Sequence, residues 1–180
     1  MMIASLPFKI KPVKEADAKS IHHFMVKNKK RFELYFPKTL FDNISLSKSQ
    51  IYAKTKEEEF RNKSSFVFAI KPLDSQQVIA LIIIKDVRWD SKSAEIAYCM
   101  DEEFSGQGWT SLAVNYLTEF ATKTLQLERI KIIAHKTNRA SIKVAENCDY
   151  LWIKTLKNEY KPKNGVPLDM ELYEFRAHEG

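Results

Sequence analysis

A short segment with two glycines, Ser105-Gly106-Gln107-Gly108, constrains the fold of this chain more than any other stretch of its sequence. It separates an apolar run with strand character from the helical pattern that begins at Trp109. The chain has only four glycines, and two of them stand one residue apart here. Because glycine is costly to order, such a pair indicates that the backbone turns tightly or approaches a ligand closely. The segment therefore predicts a strand, a tight turn and a helix in succession.

Three phosphate-binding arrangements place glycines ahead of a helix. A Walker A loop needs Gly-Lys followed by Ser or Thr, and the sequence contains no such tripeptide. A dinucleotide-binding fingerprint fails twice, because Leu112 stands near the third glycine position and Glu128 precedes the next strand instead of ending it. The third arrangement is a turn whose backbone N–H groups enclose a pyrophosphate at a helix N-terminus. The residues favour this turn, and a purely structural turn is the alternative.

Composition places the chain among globular proteins, and its 180 residues predict one domain over 1–180. The longest apolar run, residues 78–84, is far shorter than the roughly 20 residues that span a bilayer, and the N-terminus lacks the pattern of a signal peptide. Cys99 and Cys148 form no CxxC motif, which argues against a zinc site or a disulfide framework. We therefore expect a cytoplasmic protein with no metal and no membrane partner.

The net charge of +6 is spread along the chain, apart from one basic cluster at Lys27, Lys29, Lys30 and Arg31. Acidic residues lie among the basic ones, which argues against specific binding of nucleic acid. The sequence favours a solvated surface for most of this charge, which would still attract a small ligand that carries phosphate.

Hydrophobic periodicity predicts a mixed α/β fold. The predicted strands are 8–13, 65–71, 77–88, 94–100, 129–134, 150–159 and 168–175, and the predicted helices are 15–27, 47–63, the helix from the glycine turn to 123, and 139–147. Residues 28–45 are aromatic and irregular, and Ser45 or Ser47 is expected to cap the helix that follows. The strand, turn, helix and strand in the middle of the chain predict one parallel crossover in a mostly antiparallel sheet.

Two segments resemble a known family. The run AEIAYCMDEEFSGQGWTSLAVNYLTEFA, followed by LERIKIIAHKTNRASIKVAENCDY, resembles the GNAT acetyltransferase superfamily, and within it the RimJ/RimL-like N-acetyltransferases. Those proteins have a strand of the type E-I-G-Y-W-L, a turn of the type x-G-x-G-Y-A that opens a helix, and a later strand followed by N-x-x-S. The match covers about residues 93–152. It implies the GNAT fold, a mixed and mostly antiparallel sheet flanked by helices, with parallel strands splayed at the acetyl-CoA site.

The chain departs from the family pattern at several positions. Ser105 and Thr110 stand at the first and last positions of the family's Q/R-x-x-G-x-G/A turn. Ala97 replaces a glycine and Cys99 an aromatic residue, while Asp149 replaces the glycine after the second helix. Asp tolerates a left-handed backbone better than most residues. None of these changes removes a backbone donor, so we expect cofactor binding to be kept.

The resemblance implies acetyl-CoA as the cosubstrate of a direct acetyl transfer to a primary amine. It implies that backbone N–H groups of the turn bind the pyrophosphate and that the end of the preceding strand pairs with the pantetheine arm. The turn residues are Ser105, Gly106, Gln107, Gly108, Trp109 and Thr110, and the strand residues are Cys99 and Met100. Asn138 and Ser141 would contact the pantetheine and the departing sulfur, respectively, although Asn138 is equally suited to cap its helix.

Glu95 is the candidate general base, acting directly or through water, and a paired strand residue is the alternative reading. His135 is a weaker rival for that role. A single carboxylate suits an α-amine, with a pKa near ~8, better than a lysine-like amine with a pKa near ~10.4. Residues 28–45 and 158–168 are expected to form the acceptor groove.

The sequence leaves the acceptor open between a peptide or protein N-terminus, a polyamine and a small amine antibiotic of the aminoglycoside type. It also leaves open a non-catalytic acyl-CoA-binding or regulatory domain, an interaction module with a purely structural turn, and a homodimer.

Overall fold

The computed structural model describes residues 5–162 and 165–177, which form seven strands and six α-helices. The strands are β1 (Phe8–Pro12), β2 (Phe66–Pro72), β3 (Ala80–Arg88), β4 (Ser93–Met100), β5 (Arg129–Ala134), β6 (Leu151–Tyr160) and β7 (Leu168–Arg176). The helices are α1 (Ala18–Lys27), α2 (Lys29–Tyr35), α3 (Pro37–Phe41), α4 (Leu46–Arg61), α5 (Trp109–Glu119) and α6 (Arg139–Asn147). In the described ranges no helix is long and apolar enough to cross a membrane.

The strands form one mixed sheet in the order β1-β2-β3-β4-β5-β7-β6. β4 and β5 pair in parallel, whereas β1 with β2, β5 with β7, and β6 with β7 pair antiparallel. Parallel neighbours need a crossover connection, and α5 lies in the connection between β4 and β5. This confirms the predicted α/β class with a mostly antiparallel sheet and a parallel crossover.

The parallel pairing of β4 with β5 is short. It joins Ser93–Glu95 to Arg129–Lys131 and ends there, although Ile132, Ile133 and Ala134 keep antiparallel partners on β7. Beyond Glu95 and Lys131, the backbones of β4 and β5 no longer pair with each other.

The described residues divide into two compact units, 5–83 with 98–113 and 84–97 with 114–177. In the first unit, Ile21, Phe24 and Met25 are fully buried on one side of α1, as the periodicity of this helix predicts. Phe32 of α2 packs edge-on against Phe24, with ring centroids 5.3 Å apart. The side chain of Ser45 accepts a hydrogen bond from the backbone N–H of Lys48, so Ser45 is the N-cap of α4.

The second unit is built around buried residues of α5, β5 and α6, among them Leu117, Ile130 and Ala145. Tyr150 is 2% exposed, and its hydroxyl lies 2.6 Å from Oγ1 of Thr118. This hydrogen bond satisfies a polar group that is costly to bury alone. Tyr150 is therefore a core residue, as the sequence favours.

One prediction about the elements is wrong. Residues 28–45, predicted to be irregular, form α2 and α3, because Pro37 occupies the first turn of α3 and the buried side chains of Phe32 and Leu40 hold both short helices. The helix after the glycine turn ends near Lys123, as predicted, but its last turn is not α-helical. Its α-helical part ends at Glu119, and a π-helical turn spans Phe120–Thr124.

Candidate active site

The glycine turn lies between β4 and α5, after a single 3-10 turn at Glu102–Phe104. Gly106 and Gly108 have φ values of +79° and +76°, in the left-handed region that L residues disfavour. A Cβ added at either glycine would meet no atom within 4 Å. The backbone conformation therefore favours glycine at both positions, and open space lies beside them. The turn has the form expected for a phosphate-binding loop at a helix N-terminus.

Aromatic packing holds the start of α5. The ring of Trp109 lies 5.3 Å from that of Phe8 and 5.5 Å from that of Phe104, measured between centroids. The backbone N–H of Leu112 donates to the carbonyl of Gly108 at 3.1 Å, which begins the helix directly after the turn. The ring of Trp109 therefore anchors the start of the helix against two other aromatic rings.

The end of β4 is fixed by contacts with α1. Asp101 is fully buried, and its carboxylate lies 2.9 Å from Nζ of Lys27. Lys27 also contacts Glu103 at 2.9 Å, and the hydrogen bonds to Glu103 and Asp101 raise the pKa of the lysine. The backbone N–H of Glu102 donates to Oδ1 of Asn28 at 3.0 Å. The junction of α1 and α2 thus holds the segment that leads into the turn.

Arg31 of α2 reaches the same segment. One nitrogen of its guanidinium donates to the hydroxyl of Ser105 at 3.2 Å, and another donates to the carbonyl of Met100. Sequence reasoning missed Lys27, Asn28 and Arg31, because it assigned the basic cluster to a solvated surface. That cluster was the one available signal, since the contacts of Arg31 join residues 69 and 74 positions apart.

The side chains of Cys99 and Met100 belong to the interior rather than to an open surface. Cys99 is 7% exposed, and burial raises the pKa of its thiol to about 12. The thiol is therefore protonated at neutral pH and has little nucleophilic character. Met100 is 6% exposed. A ligand along this strand would meet the backbone of both residues.

Glu95 lies near the end of the parallel ladder in the second unit. Its side chain is 16% exposed, and one carboxylate oxygen lies 3.1 Å from Nζ of Lys85 on β3. Burial raises the pKa of Glu95, while the charge of Lys85 and its hydrogen bond oppose the shift. Glu95 therefore forms an ion pair, as expected of a paired strand residue, and burial also raises its pKa, which suits a general base.

The N-terminus of α6 carries the other predicted catalytic residue. Oδ1 of Asn138 accepts from the backbone N–H of Ser141 at 3.2 Å, so Asn138 caps the helix. Ser141 is half-buried in the first turn. His135 lies just before the helix, where its Nδ1 is 2.7 Å from Oγ1 of Thr137 and 3.2 Å from the backbone nitrogen of Thr137. One ring nitrogen of His135 is thus used in the local turn.

Within each unit, the structure brings together part of the predicted set. Met100 and Ser105 share the guanidinium of Arg31 in the first unit, and Asn138 and Ser141 share a cap in the second. Glu95 shares its ion pair with Lys85, which the sequence did not single out. Among the residues with described positions, no cluster of His, Cys, Asp and Glu could hold a metal ion.

Comparison with known families decides the class of the protein. A family model described as an acetyltransferase (GNAT) domain matches residues 8–150. The chain belongs to the GNAT acetyltransferase family. The match includes β1 to α6 and the glycine turn, so this GNAT protein is an acyltransferase, as the sequence predicts.

Solved structures share the GNAT fold of this chain. The ribosomal-protein-S5-alanine acetyltransferase of Vibrio fischeri has 19% identity and a TM-score of 0.88, with 98% of this chain and 96% of that chain covered. An acetyl transferase of Salmonella typhimurium that modifies the N-terminal serine of ribosomal protein L7/L12 has 19% identity and a TM-score of 0.86, with 97% of each chain covered. The microcin C7 self-immunity acetyltransferase MccE, solved with acetyl-CoA and AMP, has 19% identity and a TM-score of 0.83, with 94% and 93% covered. A search of curated proteins finds no match.

Proposed function

We propose that this GNAT protein is an acetyl-CoA-dependent N-acetyltransferase that transfers an acetyl group directly to the α-amine of a peptide or protein. The glycine turn carries the proposal. Gly106 and Gly108 both have positive φ, and a Cβ on either would enter open space beside the N-terminus of α5. That space, next to backbone N–H groups, fits a pyrophosphate, and side chains at these two positions would take it up.

Acetyl-CoA supplies an acetyl group activated as a thioester. In this proposal, the backbone of residues 105–110 binds its phosphates, and the main chain of Cys99 and Met100 binds its pantetheine arm. The aligned peptide dipoles of α5 add positive potential at the turn. The packing of Trp109 against Phe8 and Phe104 keeps the turn in this shape, so binding requires little ordering of the backbone.

Glu95 has the properties of the proton acceptor for the incoming amine, directly or through one water. Burial moves its pKa upward, toward the operating pH at which a general base is most effective. The charge of Lys85 and its hydrogen bond to Glu95 oppose this shift. In this proposal, the ion pair with Lys85 adjusts the pKa of Glu95, and Glu95 still acts as the base.

Ser141 and the N-terminus of α6 have the properties needed beside a departing thiolate. A helix N-terminus stabilises negative charge, and a thiolate is the form in which the CoA sulfur leaves. Oδ1 of Asn138 accepts a hydrogen bond from the backbone N–H of Ser141, which holds the first turn of α6 in place. In this proposal, the hydroxyl of Ser141 donates to that sulfur, and Asn138 positions the helix.

The preference for an α-amine rests on proton cost. An α-amine with a pKa near ~8 needs about 1.4 kcal/mol for deprotonation at neutral pH, whereas a lysine side chain near ~10.4 needs about 4.6 kcal/mol. A single carboxylate that is paired with Lys85 is a sufficient base for the α-amine and a weak base for the lysine side chain. The names of the Vibrio fischeri and Salmonella typhimurium structures, which specify alanine and an N-terminal serine, agree with this class of acceptor.

A second candidate is an acyl-CoA-binding domain without catalysis. The ion pair between Glu95 and Lys85 favours it, because a carboxylate held by a lysine at 3.1 Å also has a sufficient structural role. The third candidate is transfer of the acetyl group to a small-molecule amine, which the same glycine turn would serve. All three share the turn and differ in what happens after the cofactor binds.

The deciding experiment compares two peptides of one sequence that contains a lysine, one with a free N-terminus and one with a formylated N-terminus. Release of free thiol from acetyl-CoA and the mass of the product are measured for each peptide. We expect acetylation of the free peptide at its α-amine and no product from the formylated one. Spermidine and an aminoglycoside are assayed in parallel, with Glu95→Gln as the catalytic control.

Each outcome selects one reading. Equal acetylation of the formylated peptide would replace the α-amine by a lysine side chain, and a product from spermidine or the aminoglycoside alone would indicate a small-molecule enzyme. Thermal stabilisation by CoA without transfer to any amine would favour the non-catalytic domain. No stabilisation by CoA would overturn the cofactor assignment itself.

A further inference from the structure

Arg31 differs from Lys27 and Lys29, two other basic residues of its cluster, in the partners that it has. Lys27 pairs with Asp101 and Glu103, and Lys29 pairs with Glu33. In the part of the chain that the structure describes, no ion pair includes Arg31. The hydrogen bonds of its guanidinium to described residues go to a hydroxyl and a backbone carbonyl, those of Ser105 and Met100. A full positive charge is thus held by two neutral acceptors.

The position of this charge is specific. Ser105 is the first residue of the glycine turn, and its hydroxyl lies 3.2 Å from the guanidinium. The carbon of the guanidinium lies 5.4 Å from the ring centroid of Phe32, a buried residue that restricts where the side chain of Arg31 can point. The half-buried Arg31 therefore contacts the residue that directly precedes Gly106 in the turn.

A guanidinium has five N–H donors in a planar fork and matches the oxygens of a phosphate better than those of neutral acceptors. Charge-assisted hydrogen bonds are roughly twice as strong as neutral ones. A phosphate in the turn would therefore compete well for the donors that now point to Ser105 and Met100. Neither neutral acceptor uses the charge of Arg31 fully.

We propose that Arg31 is a cofactor-binding residue whose guanidinium contacts the phosphates of acetyl-CoA at the glycine turn. The proposal rests on the proposed function, because it requires that the turn binds the pyrophosphate. It adds a side-chain charge from α2 to a site that otherwise uses backbone donors. It also predicts that α2 influences cofactor affinity directly.

The test measures the Kd of CoA for wild type, Arg31→Gln, Arg31→Lys and Lys30→Gln at two salt concentrations. Lys30 is the matched control, because it is an exposed lysine of the same helix and its change alters net charge equally. We expect Arg31→Gln to weaken binding about tenfold or more at low salt and Arg31→Lys to restore part of the loss. Lys30→Gln should stay within about twofold.

Salt separates a charge contact from a purely positioning role. Because salt screens charge pairs, wild type should lose more affinity than Arg31→Gln between about 0.05 and about 0.5 M salt. Equal losses for the two proteins would show that Arg31 only holds the carbonyl of Met100, and would overturn the proposal. Unchanged affinity in folded Arg31→Gln would also overturn it.

A melting curve verifies that each variant is folded. If Arg31→Gln does not fold, Arg31→Lys decides, because a lysine keeps the charge and loses the fork. In that case, a CoA affinity of Arg31→Lys that keeps the salt dependence of wild type supports a charge contact, and an affinity that salt modulates less than in wild type overturns it. Absence of CoA binding by wild type would instead refute the proposed function, which is a separate result.

Discussion

Gly108→Val changes the turn where backbone conformation and ligand space coincide. Gly108 has a φ of +76°, and an added Cβ meets no atom within 4 Å. An L residue in the left-handed region costs about 1–2 kcal/mol, and a β-branched residue is disfavoured further. For a chain of this size, about 1–2 kcal/mol lowers the melting temperature by about 2–8 °C. The added Cβ meets no neighbouring atom, so we expect Gly108→Val to fold.

The effect on acetyl-CoA should be larger than the effect on stability. The branched side chain enters the open space beside the turn and prevents a phosphate from approaching the backbone N–H groups. We expect the Kd of acetyl-CoA to rise at least tenfold, which corresponds to about 1.4 kcal/mol or more. Titration calorimetry below the melting temperature measures it, and circular dichroism verifies the fold.

Asp149→Ala is the control for backbone strain. Asp149 has a φ of +60° in the loop after α6, so alanine there also adopts the left-handed conformation. We expect a small loss of stability without a change in the Kd of acetyl-CoA. A folded Gly108→Val variant that binds acetyl-CoA with wild-type affinity would refute the pyrophosphate assignment of the turn.

The remaining predictions concern catalysis. Glu95→Gln should lower kcat by a factor of about 10²–10⁴ at neutral pH, with partial recovery at high pH and unchanged acetyl-CoA affinity. Wild-type kinetics in this variant would make Glu95 a structural residue and His135 the next candidate for the base. Burial raises the pKa of Glu95 in the folded state above its ordinary value of 4.5. The stability that Glu95 contributes is therefore present below pH 4.5 and is lost as pH rises through the folded-state pKa. Glu95→Gln should therefore gain melting temperature relative to wild type as pH rises above 4.5, and a constant difference would contradict the raised pKa. Lys85 lowers the pKa of Glu95, so Lys85→Gln should move the acidic limb of the kcat/KM profile to higher pH, and an unmoved limb would assign it to another group. Ser141→Ala should lower kcat about tenfold or more, at least ~1.4 kcal/mol, with little change in melting temperature or acetyl-CoA affinity. Equal kcat with a lower melting temperature would make Ser141 a structural residue.

The elements with strong local signals could be predicted to the residue. β5 (Arg129–Ala134) alternates buried and partly buried residues, and α6 (Arg139–Asn147) begins after an Asn that caps it. Both signals are local in sequence. α2 and α3 have seven and five residues, too few for a helical period to emerge. Their helical form depends on burial of side chains such as Phe32, which only tertiary packing provides.

The candidate site divides in the same way. The turn was predictable because a left-handed backbone leaves a mark in the sequence, namely Gly106 and Gly108. Arg31 was not, because its contacts with Met100 and Ser105 depend on how α2 packs beside β4. The ion pair of Glu95 with Lys85 depends likewise on the pairing of strands and could only be left open as an alternative.

The proposed activity depends more on the turn than on the base. Orientation of two reactants can contribute roughly 7–11 kcal/mol to catalysis, whereas general base catalysis contributes about 10²–10⁴, or about 2.7–5.4 kcal/mol. An α-amine reduces the need for a base further, since its deprotonation at neutral pH costs only about 1.4 kcal/mol. A Glu95 variant with full activity would therefore change the assignment of one residue and leave an acetyltransferase. A Gly108 variant with full acetyl-CoA affinity would instead refute the assignment of the turn as the acetyl-CoA site, on which the larger contribution depends.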